Sequence, residues 1–403
     1  MNFNYIVFAI PVFFVLIGLE LLVNKIRQGK AYRFNDAIAN LNIGIGEQIF
    51  SVFLKAVLVM VYDYIYRHWA LLEIPNTFLN GVILLFAFDF IYYWAHRMGH
   101  EINFFWGGHI VHHSSEEYNL TVALRQPWFY SFMSFFLFLP LAWIGFSVKL
   151  LVIVAGLDVL YQFWIHTKYI GKLGPLEWIF NTPSHHRVHH GVNPQYIDKN
   201  HGGVLIIWDR LFGTFEEEKE EVVYGITTPL KSWNPAWANV HYFVDLVNIS
   251  KQFPKWTDKI KLWFMPPGWK PKELGGREKP KPVTYKTFKR FDFLYPKKLN
   301  SYVLAQFIVL AILVTGYLSL EPKFIKWQSA VFALYLIFTL SIIGVMFEKK
   351  RWAFSLEYIR LIAMPLVIIL IPLSVGWLTV FLVIAFLLMA ASLLWLMQIR
   401  KLV

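Results

Sequence analysis

The chain has 403 residues, of which 57% are hydrophobic, and its mean hydropathy is +0.47; because soluble domains are only about 45–50% apolar, this composition predicts a protein embedded in lipid. There is no cysteine, which excludes thiolate-ligated haem, cysteine-ligated iron–sulfur or zinc sites and disulfide bonds, so any metal must be bound by His, Asp or Glu. The formal net charge of +12 fits cytoplasmic loops facing anionic headgroups, and no basic recognition motif indicates nucleic acid.

Nine apolar runs follow one another along the chain, most of them close to the roughly 20 residues with which a helix crosses a bilayer. The first run lacks a basic leading segment and a small-residue cleavage site, so it predicts a retained span rather than a signal peptide. The second run is short and could be re-entrant. The predicted spans are residues 5–23, 49–61, 78–95, 128–146, 148–165, 303–320, 327–346, 361–375 and 378–397.

Basic residues follow the first, seventh and ninth runs, at positions 25–33, 349–351 and 400–401. If all nine runs cross, these segments share one side of the membrane, which the positive-inside rule makes cytoplasmic. The same threading places the N-terminus outside and the polar stretch 166–300 in the cytoplasm. We therefore expect an integral, multi-pass membrane protein of a bacterial inner membrane or the endoplasmic reticulum.

Ten of the 13 histidines fall between positions 96 and 190, beside the predicted spans. Three motifs, one HxxxH and two HxxHH, space their histidines so that the imidazoles share one face of a helix. A further histidine closes the fifth apolar run. The candidate metal ligands are His96 and His100, then His109, His112 and His113, then His166, and finally His186, His189 and His190.

The eight imidazoles of these motifs exceed the needs of one ion, since a zinc site takes four ligands, and they suit two metal ions. Nitrogen ligation without sulfur is compatible with Fe, Zn, Cu or Ni. Beside lipid, a pair of redox-active irons would cleave dioxygen to attack an unactivated C–H bond. A metal-ion transporter would scatter its histidines along a path at mid-membrane depth, and a membrane zinc hydrolase would need fewer of them. A membrane oxygenase with its active site facing the cytoplasm is therefore favoured over both.

Seven acidic residues near the motifs are candidates to orient imidazoles. Asp89 and Asp158 fall inside apolar runs, where a carboxylate is costly and usually functional, so they could orient ligands or bind metal themselves. His185 and His201 flank the third motif, and each could orient a ligand or have no role. The isolated His68 is more simply an interfacial residue, as is His241. The other acidic candidates are Glu101, Glu116, Glu117, Asp198 and Asp209.

The predicted fold class is an all-α polytopic membrane protein with a cytoplasmic, histidine-rich cap for two metals and extra C-terminal transmembrane helices. Four regions are expected along the chain. These are N-terminal transmembrane helices in residues 1–76, a catalytic core in 77–220, a cytoplasmic or interfacial segment in 221–300 and C-terminal transmembrane helices in 301–403.

The three histidine motifs around hydrophobic hairpins resemble the fatty acid hydroxylase / sterol desaturase superfamily of membrane di-iron enzymes. The resemblance covers about residues 78–215 and ends in the string WDRLFGTF. Segments 108–126 and 196–200, the PPGW turn at 266–269 and the hydrophobic extension after residue 300 resemble ether-cleaving members more than compact sterol desaturases. His201 stands where the resemblance leads us to expect a tyrosine.

The resemblance implies that the eight motif histidines bind two iron ions, that His166 is an additional ligand and that Glu101 is a functionally important acid. We take Asp209 as a second candidate catalytic residue. It also implies hydroxylation of the ether-linked alkyl carbon of a glyceryl ether, using dioxygen and tetrahydrobiopterin. The hemiacetal then collapses to a fatty aldehyde and a glycerol derivative. The alternative is hydroxylation or desaturation of a sterol, fatty acyl or ornithine lipid, with electrons from a pterin or a reductase.

Overall fold

The computed structural model describes residues 5–293, 296–348 and 350–400, so the basic residues at positions 349 and 401 lie outside the described part. Within these ranges the protein is helical, and its only extended pairings are two isolated β-bridges. The predicted all-α class is confirmed. The α-helices are α1 (Tyr5–Ile26), α2 (Phe34–Trp69), α3 (Phe78–Glu101), α4 (Asn103–His113), α5 (Leu120–Ala123), α6 (Tyr130–Ser134), α7 (Leu139–Ile144), α8 (Val148–Trp164), α9 (Pro183–His189), α10 (Ile207–Phe212), α11 (Pro235–Ser250), α12 (Trp256–Lys261), α13 (Lys297–Leu320), α14 (Lys326–Val345), α15 (Arg351–Ile368) and α16 (Val375–Arg400).

Five of these helices are long and apolar enough to cross a membrane, namely α2, α3, α13, α14 and α16. At 1.5 Å per residue, about 20 residues cover the roughly 30 Å hydrocarbon core. Large hydrophobic side chains are exposed along them, as expected of surfaces that contact lipid rather than water. The chain is therefore an integral membrane protein. Of the other predicted spans, the first, fourth and fifth coincide with α1, the α6–α7 segment and α8, whereas the predicted span 361–375 overlaps only the second half of α15 and runs past its end.

The predicted fourth span differs most from a regular membrane helix. Its residues form α6, a 3-10 turn at Phe135–Phe138 and α7, which contain five, four and six residues. Such a stretch is only about 22 Å long at α-helical rise, shorter than the hydrocarbon core. Pro140 has no backbone N–H with which to continue the helix from α6. Gly145 ends α7 with a φ of 124°.

At one end of the molecule, the α2–α3 and α7–α8 connections meet. The backbone N–H of Leu71 donates to the carbonyl of Trp143 at 2.8 Å. The Ser147 hydroxyl, which also caps α8, donates to the side-chain oxygen of Asn76 at 2.5 Å. These two connections therefore lie on the same face, opposite to the histidine motifs at the other ends of α3 and α8.

The ends of several other long helices also lie at the histidine end of the molecule. Arg33, just before α2, donates from Nε to Glu117 at 2.7 Å, close to the second motif. Glu348, just after α14, accepts the backbone N–H of Trp233 at 2.8 Å. The end of α1, the start of α2, the end of α14 and the start of α15 thus share the face that carries the clustered histidines.

The C-terminal helices enclose a buried charged pair. The side chains of Arg360 and Glu357 on α15 are each 1% exposed and are joined by an Nε–Oε2 hydrogen bond of 2.7 Å. Arg360 also donates to Gln306 at 2.6 Å, and Tyr302 donates to Glu357. Gln306 donates in turn to Ser392 at 2.9 Å. The network links α13, α15 and α16, and a buried charge without such partners would be costly.

Replacing Arg360 by Met should destabilise the protein, because Glu357 would lose its only cationic partner in the described bundle. We expect a cost of about 3–5 kcal/mol in the free energy of unfolding, measured by denaturant titration in detergent. The double variant Arg360→Met/Glu357→Leu should recover most of this loss. Lys255→Met removes an exposed ion pair with Glu273 and serves as the matched control, which should unfold like the wild type. An Arg360→Met variant as stable as wild type would contradict the prediction.

Candidate metal centre

Four structural elements carry the clustered histidines. The HxxxH pair occupies the last turns of α3, and the first HxxHH motif lies on α4, which begins directly after the single extended residue Ile102. His166 follows the end of α8. The second HxxHH motif lies on α9, whose start at Pro183 suits the fixed φ of proline at the first position of a helix. All nine predicted ligands are buried.

The nine imidazoles gather into two adjacent groups, in each of which one ligand atom per residue lies within 4.8 Å of all the others. Each HxxHH motif contributes to both groups. Its first and last histidines belong to one group, and its middle histidine belongs to the other. The rings of His113 and His190 touch across the boundary, with centroids 4.4 Å apart. The first histidine group is His96, His100, His109, His113 and His189, and the second histidine group is His112, His166, His186 and His190.

The nitrogen atoms converge as ligands of one ion would. In the first histidine group, Nε2 of His109 lies 3.0 Å from Nε2 of both His96 and His113. In the second, Nε2 of His166 lies 3.2 Å from that of His112 and 3.0 Å from that of His186. Two ligands bound at about 2.1 Å and at right angles are about 3.0 Å apart. The donor set therefore fits two metal ions.

Burial keeps these imidazoles in the form that binds metal. Outside the membrane-spanning segments, burial lowers the pKa of His112 to about 4 and holds the pKa values of His109 and His113 well below the usual histidine value. Nearby imidazoles reinforce the effect, because two adjacent positive charges repel. At neutral pH the lone pairs are thus free for coordination.

A single loop, residues 198–201, orients the first histidine group. Nδ1 of His96 donates to the backbone carbonyl of His201 at 2.8 Å, and Nδ1 of His189 donates to that of Lys199 at 3.0 Å. A carbonyl can only accept, so each bond fixes the proton on Nδ1 and leaves Nε2 to coordinate. The loop therefore sets both the tautomer and the direction of these ligands.

The same loop contains two residues in the left-handed region of the backbone, Asp198 and Asn200, each with a φ of 56°. Asp and Asn tolerate this conformation better than most side chains. Asp198 lies with Oδ1 3.5 Å from Nδ1 of His100, and Asn200 exchanges two hydrogen bonds with the backbone of Glu216. The strained turn thus brings a carboxylate beside a third ligand of the first histidine group.

Asp209, a predicted catalytic residue, lies behind this loop. Its buried carboxylate accepts the backbone N–H groups of His201 and Gly202, both at 2.7 Å, and the hydroxyl of Thr214 at 2.7 Å. All these contacts are with the loop and its surroundings rather than with histidine rings. The geometry therefore assigns Asp209 to positioning the loop that carries the acceptor for His96.

Glu101, the other predicted catalytic residue, lies at the surface of the centre. Its side chain is 43% exposed and pairs with Arg97 at 2.9 Å. It lines an open cleft of about 360 Å³ together with Ile102, Asp198, Phe264, Pro266 and Arg277. Asp198 thus lines the cleft and also approaches His100 of the first histidine group.

The second histidine group depends on a buried arginine that the sequence did not single out as a positioning residue. Nδ1 of His112 donates to the carbonyl of Arg125 at 3.1 Å. The guanidinium of Arg125 donates to the carbonyl of Val111, to Asn40 and to Ser114, at 2.7, 2.9 and 2.7 Å. Arg125 therefore ties α4 to the polar first turns of α2. In the sequence, the only sign of this role is that Arg125 is a basic residue between two apolar runs.

The other acidic candidates bind protein groups outside the two histidine groups. Asp89 accepts the N–H groups of Val204 and Leu205 and the indole N–H of Trp208, at 2.7, 3.1 and 2.8 Å. Asp158 accepts from the side chain of Gln162 at 2.6 Å. Asp89 thus anchors the segment after the loop to α3. Glu116 and Glu117 both pair with Arg33.

The four remaining histidines belong to neither group. His185 lies 4.0 Å from Glu177, and its ring packs edge-on against Phe215. His68 is exposed at the opposite end of the molecule, and His241 donates to a carbonyl within α11. His201 alone lies beside the first histidine group, with its ring centroid 5.0 Å from that of His100.

Comparison with known proteins agrees with this architecture. The family model described as fatty acid hydroxylase matches residues 81–214, which contain all nine histidines of the two groups. Alkylglycerol monooxygenase of Xenopus tropicalis is 38% identical over 363 residues, which cover 89% of this chain and 80% of the relative. The human alkylglycerol monooxygenase is 37% identical over 361 residues, covering 89% and 81%. The ornithine lipid hydroxylase OlsE of Rhizobium tropici is 30% identical over 142 residues, covering 35% and 43%. No solved structure matches the chain.

The chain has membrane-spanning helices, two buried imidazole groups at the ends of some of them, and a fatty acid hydroxylase match over the same residues. These features define a membrane oxidoreductase of the monooxygenase class. The similarity to alkylglycerol monooxygenases, which covers 89% of this chain, identifies a narrower family within that class. The chain belongs to the alkylglycerol monooxygenase family. The resemblance inferred from the histidine motifs is thereby confirmed.

Replacing His186 by Ala should remove one nitrogen from the second histidine group, whereas replacing the neighbouring His185 removes a buried imidazole that belongs to neither group. We expect His186→Ala to lower metal affinity at least roughly 100-fold at that group, so that the purified protein loses about half of its metal. His185→Ala should retain it. Metal per chain is measured by elemental analysis, and equal losses in both variants would contradict the two-group assignment.

Replacing Asp209 by Asn should misplace the 198–201 loop. Each carboxylate oxygen accepts one backbone N–H group, and the amide nitrogen that replaces one oxygen cannot accept a hydrogen bond. We expect metal affinity at the first histidine group to fall by about 10–100-fold. Glu101→Gln is the matched control, since the Glu101 side chain pairs with Arg97 and faces the cleft, and it should bind metal like the wild type. Metal titration of apoprotein distinguishes the two, and an unchanged affinity in Asp209→Asn would refute the positioning role.

Proposed function

We propose that this chain is a di-iron membrane monooxygenase that cleaves glyceryl ethers, using dioxygen and tetrahydrobiopterin, to a fatty aldehyde and a glycerol derivative. The observation that carries the proposal is the pair of buried, all-nitrogen groups within a chain that is similar to alkylglycerol monooxygenases over nearly its whole length. Two iron ions held there would supply the activation of dioxygen for oxygen insertion into a C–H bond.

The two groups differ in the number of imidazoles, five in the first and four in the second. An octahedral ion bound by four imidazoles keeps two positions open, whereas one bound by five keeps a single position. At the first group one position would thus be open to an exchanging small molecule, and at the second group two would be. The second group's ligands His112 and His166 are held from behind by the carbonyls of Arg125 and Gln162, so they need not rearrange during turnover.

A lipid chain has an apolar approach to the histidines along α6. The ring of Tyr130, at the start of α6, lies 5.0 Å from the ring of His109, and its hydroxyl donates to the carbonyl of Ala95 at 2.5 Å. Further along, Phe132 and Phe136 are each about half exposed on the surface that contacts lipid. The interrupted fourth span therefore leads from the bilayer to the first histidine group, and we propose that the alkyl chain enters here.

A water-soluble reductant has a polar approach through the cleft between Glu101, Asp198 and Arg277. The carboxylates of Glu101 and Asp198 can accept hydrogen bonds from the N–H groups of a reduced pterin, and Asp198 also reaches His100. Glu101 is then a binding residue for the reductant rather than a metal ligand. The exposed side of the cleft allows the oxidised pterin to exchange with solvent.

The chemistry balances with these reactants. One oxygen atom of dioxygen enters the C–H bond of the ether-linked alkyl carbon, and the other leaves as water with two protons. The pterin provides the two electrons. The hemiacetal then breaks its bond between the alkyl carbon and the glycerol oxygen, which gives the aldehyde and frees the glycerol hydroxyl.

We also propose that the histidine face lies in the cytoplasm. The end of α1 and the starts of α13 and α15 lie on this face and carry Lys25, Lys297 and Arg351. The positive-inside rule favours the cytoplasm for such a face. A soluble pterin would reach the cleft from that side.

Hydroxylation of another membrane lipid is the second candidate function. The ornithine lipid hydroxylase is similar over 142 residues, 35% of this chain. Hydroxylation and ether cleavage share the same first step, and only the position of the attacked carbon relative to the ether oxygen separates them. The much longer similarity to alkylglycerol monooxygenases favours ether cleavage.

The proposed function predicts fatty aldehyde from a 1-O-alkylglycerol when iron-loaded protein in detergent is given tetrahydrobiopterin and dioxygen. With ¹⁸O₂, the label should appear in the aldehyde, trapped at once by reduction to the alcohol, and not in the released glycerol. His112→Ala should lower the rate at least about 100-fold, because His112 belongs to the second histidine group.

His68→Ala is the control, since His68 lies at the opposite end of the molecule and should leave the rate unchanged. Dioxygen uptake without aldehyde, in protein that contains iron, would refute ether cleavage and favour hydroxylation of another lipid. Label in the glycerol would show that the wrong C–O bond had been assigned.

A further inference from the structure

His201 is a tenth imidazole at the edge of the first histidine group. Its side chain is fully buried, and its ring centroid lies 5.0 Å from that of His100, 5.7 Å from that of His189 and 5.8 Å from that of His96. Ring distances within the group itself run from 4.3 Å, for His96 and His189, to 6.4 Å, for His109 and His189. His201 is therefore as close to these three ligands as the ligands are to one another.

Within the described residues, neither ring nitrogen of His201 lies in hydrogen-bonding geometry with a partner, although the backbone of Asp198 lies near the ring. Buried polar groups are nearly always paired, because an unpaired one loses its hydration without compensation. The backbone of His201 is fully engaged, since its N–H donates to Asp209 at 2.7 Å and its carbonyl accepts from His96 at 2.8 Å. These two bonds fix the backbone of the residue whose ring lies against the first histidine group.

A role as a sixth ligand does not suit this position. The ligand atoms of the five group members lie within 4.8 Å of one another, and His201 is not among them. Five imidazoles leave one position of an octahedral ion, and a sixth would close it. A neutral imidazole has an N–H to donate, and the neighbouring rings, once they coordinate through nitrogen, have no lone pair with which to accept it.

We propose that His201 is a positioning residue that donates a hydrogen bond to the small exogenous ligand, such as water or azide, that completes coordination in the first histidine group. This inference rests on the proposed di-iron centre.

The test is azide binding to the iron-loaded, oxidised full-length protein, followed by its charge-transfer absorption, with iron per chain measured on the same samples. His201→Phe keeps a planar ring without a donor. It should weaken azide binding at the first histidine group, identified as the phase of the titration that His186→Ala leaves in place, about tenfold, with the iron content unchanged. His201→Asn, which restores a donor, should bind azide within about twofold of wild type. His68→Phe, at the opposite end of the molecule, is the matched control and should bind azide as the wild type does.

Wild-type azide affinity in an iron-replete His201→Phe variant would overturn the inference. So would loss of one iron per chain from both His201→Phe and His201→Asn, because that result would make His201 a ligand. If His201→Phe does not fold, the smaller His201→Leu carries the same test. Wild-type protein that binds neither iron nor azide would instead contradict the proposed function.

Discussion

An imidazole inside a protein serves a metal only when it is uncharged and its lone pair points at the ion, and the fold around the histidine groups is organised by this double requirement. Burial keeps the rings neutral, and backbone carbonyls behind four of them, His96, His112, His166 and His189, hold the proton on Nδ1. Because a carbonyl is fixed by the path of its chain, the connections between helices are as constrained as the helices themselves.

This constraint explains why so many polar groups lie buried next to a membrane domain. Asp209 and Asp89 bind successive stretches of backbone, residues 201–202 and 204–205, and so fix the loop against α10 and α3. Gly203 lies between them, and a side chain there would press on the carboxylates of Asp89 and Asp158. Both carboxylates thus bind the stretch of chain that carries or directly follows the acceptor carbonyls.

The sequence predicted the membership of the centre well and its internal arrangement poorly. Spacings of three and four place the motif histidines on shared helix faces, and all nine predicted ligands come together. The division of each HxxHH motif between two groups depends on how α4 and α9 cross, which local spacing does not encode. The carbonyls of Lys199 and His201 belong to the backbone, so no residue type signals them. Hydropathy likewise predicted an uninterrupted fourth span. Averaging hydropathy over a window does not reveal the 3-10 turn or the effect of Pro140 on the helix.

The centre is approached by two surfaces of opposite character, which meet different ligands. Tyr130 of the apolar α6 segment packs on His109, whereas Asp198 of the polar cleft approaches His100. An amphiphile that is cut at such a point yields one fragment that prefers oil and one that prefers water. The aldehyde can diffuse back along the phenylalanine side into the bilayer, where a soluble scavenging enzyme would have to come to the membrane to collect it. On the proposed routes, the architecture would therefore separate the products by solvent and keep a reactive carbonyl compound out of the aqueous phase.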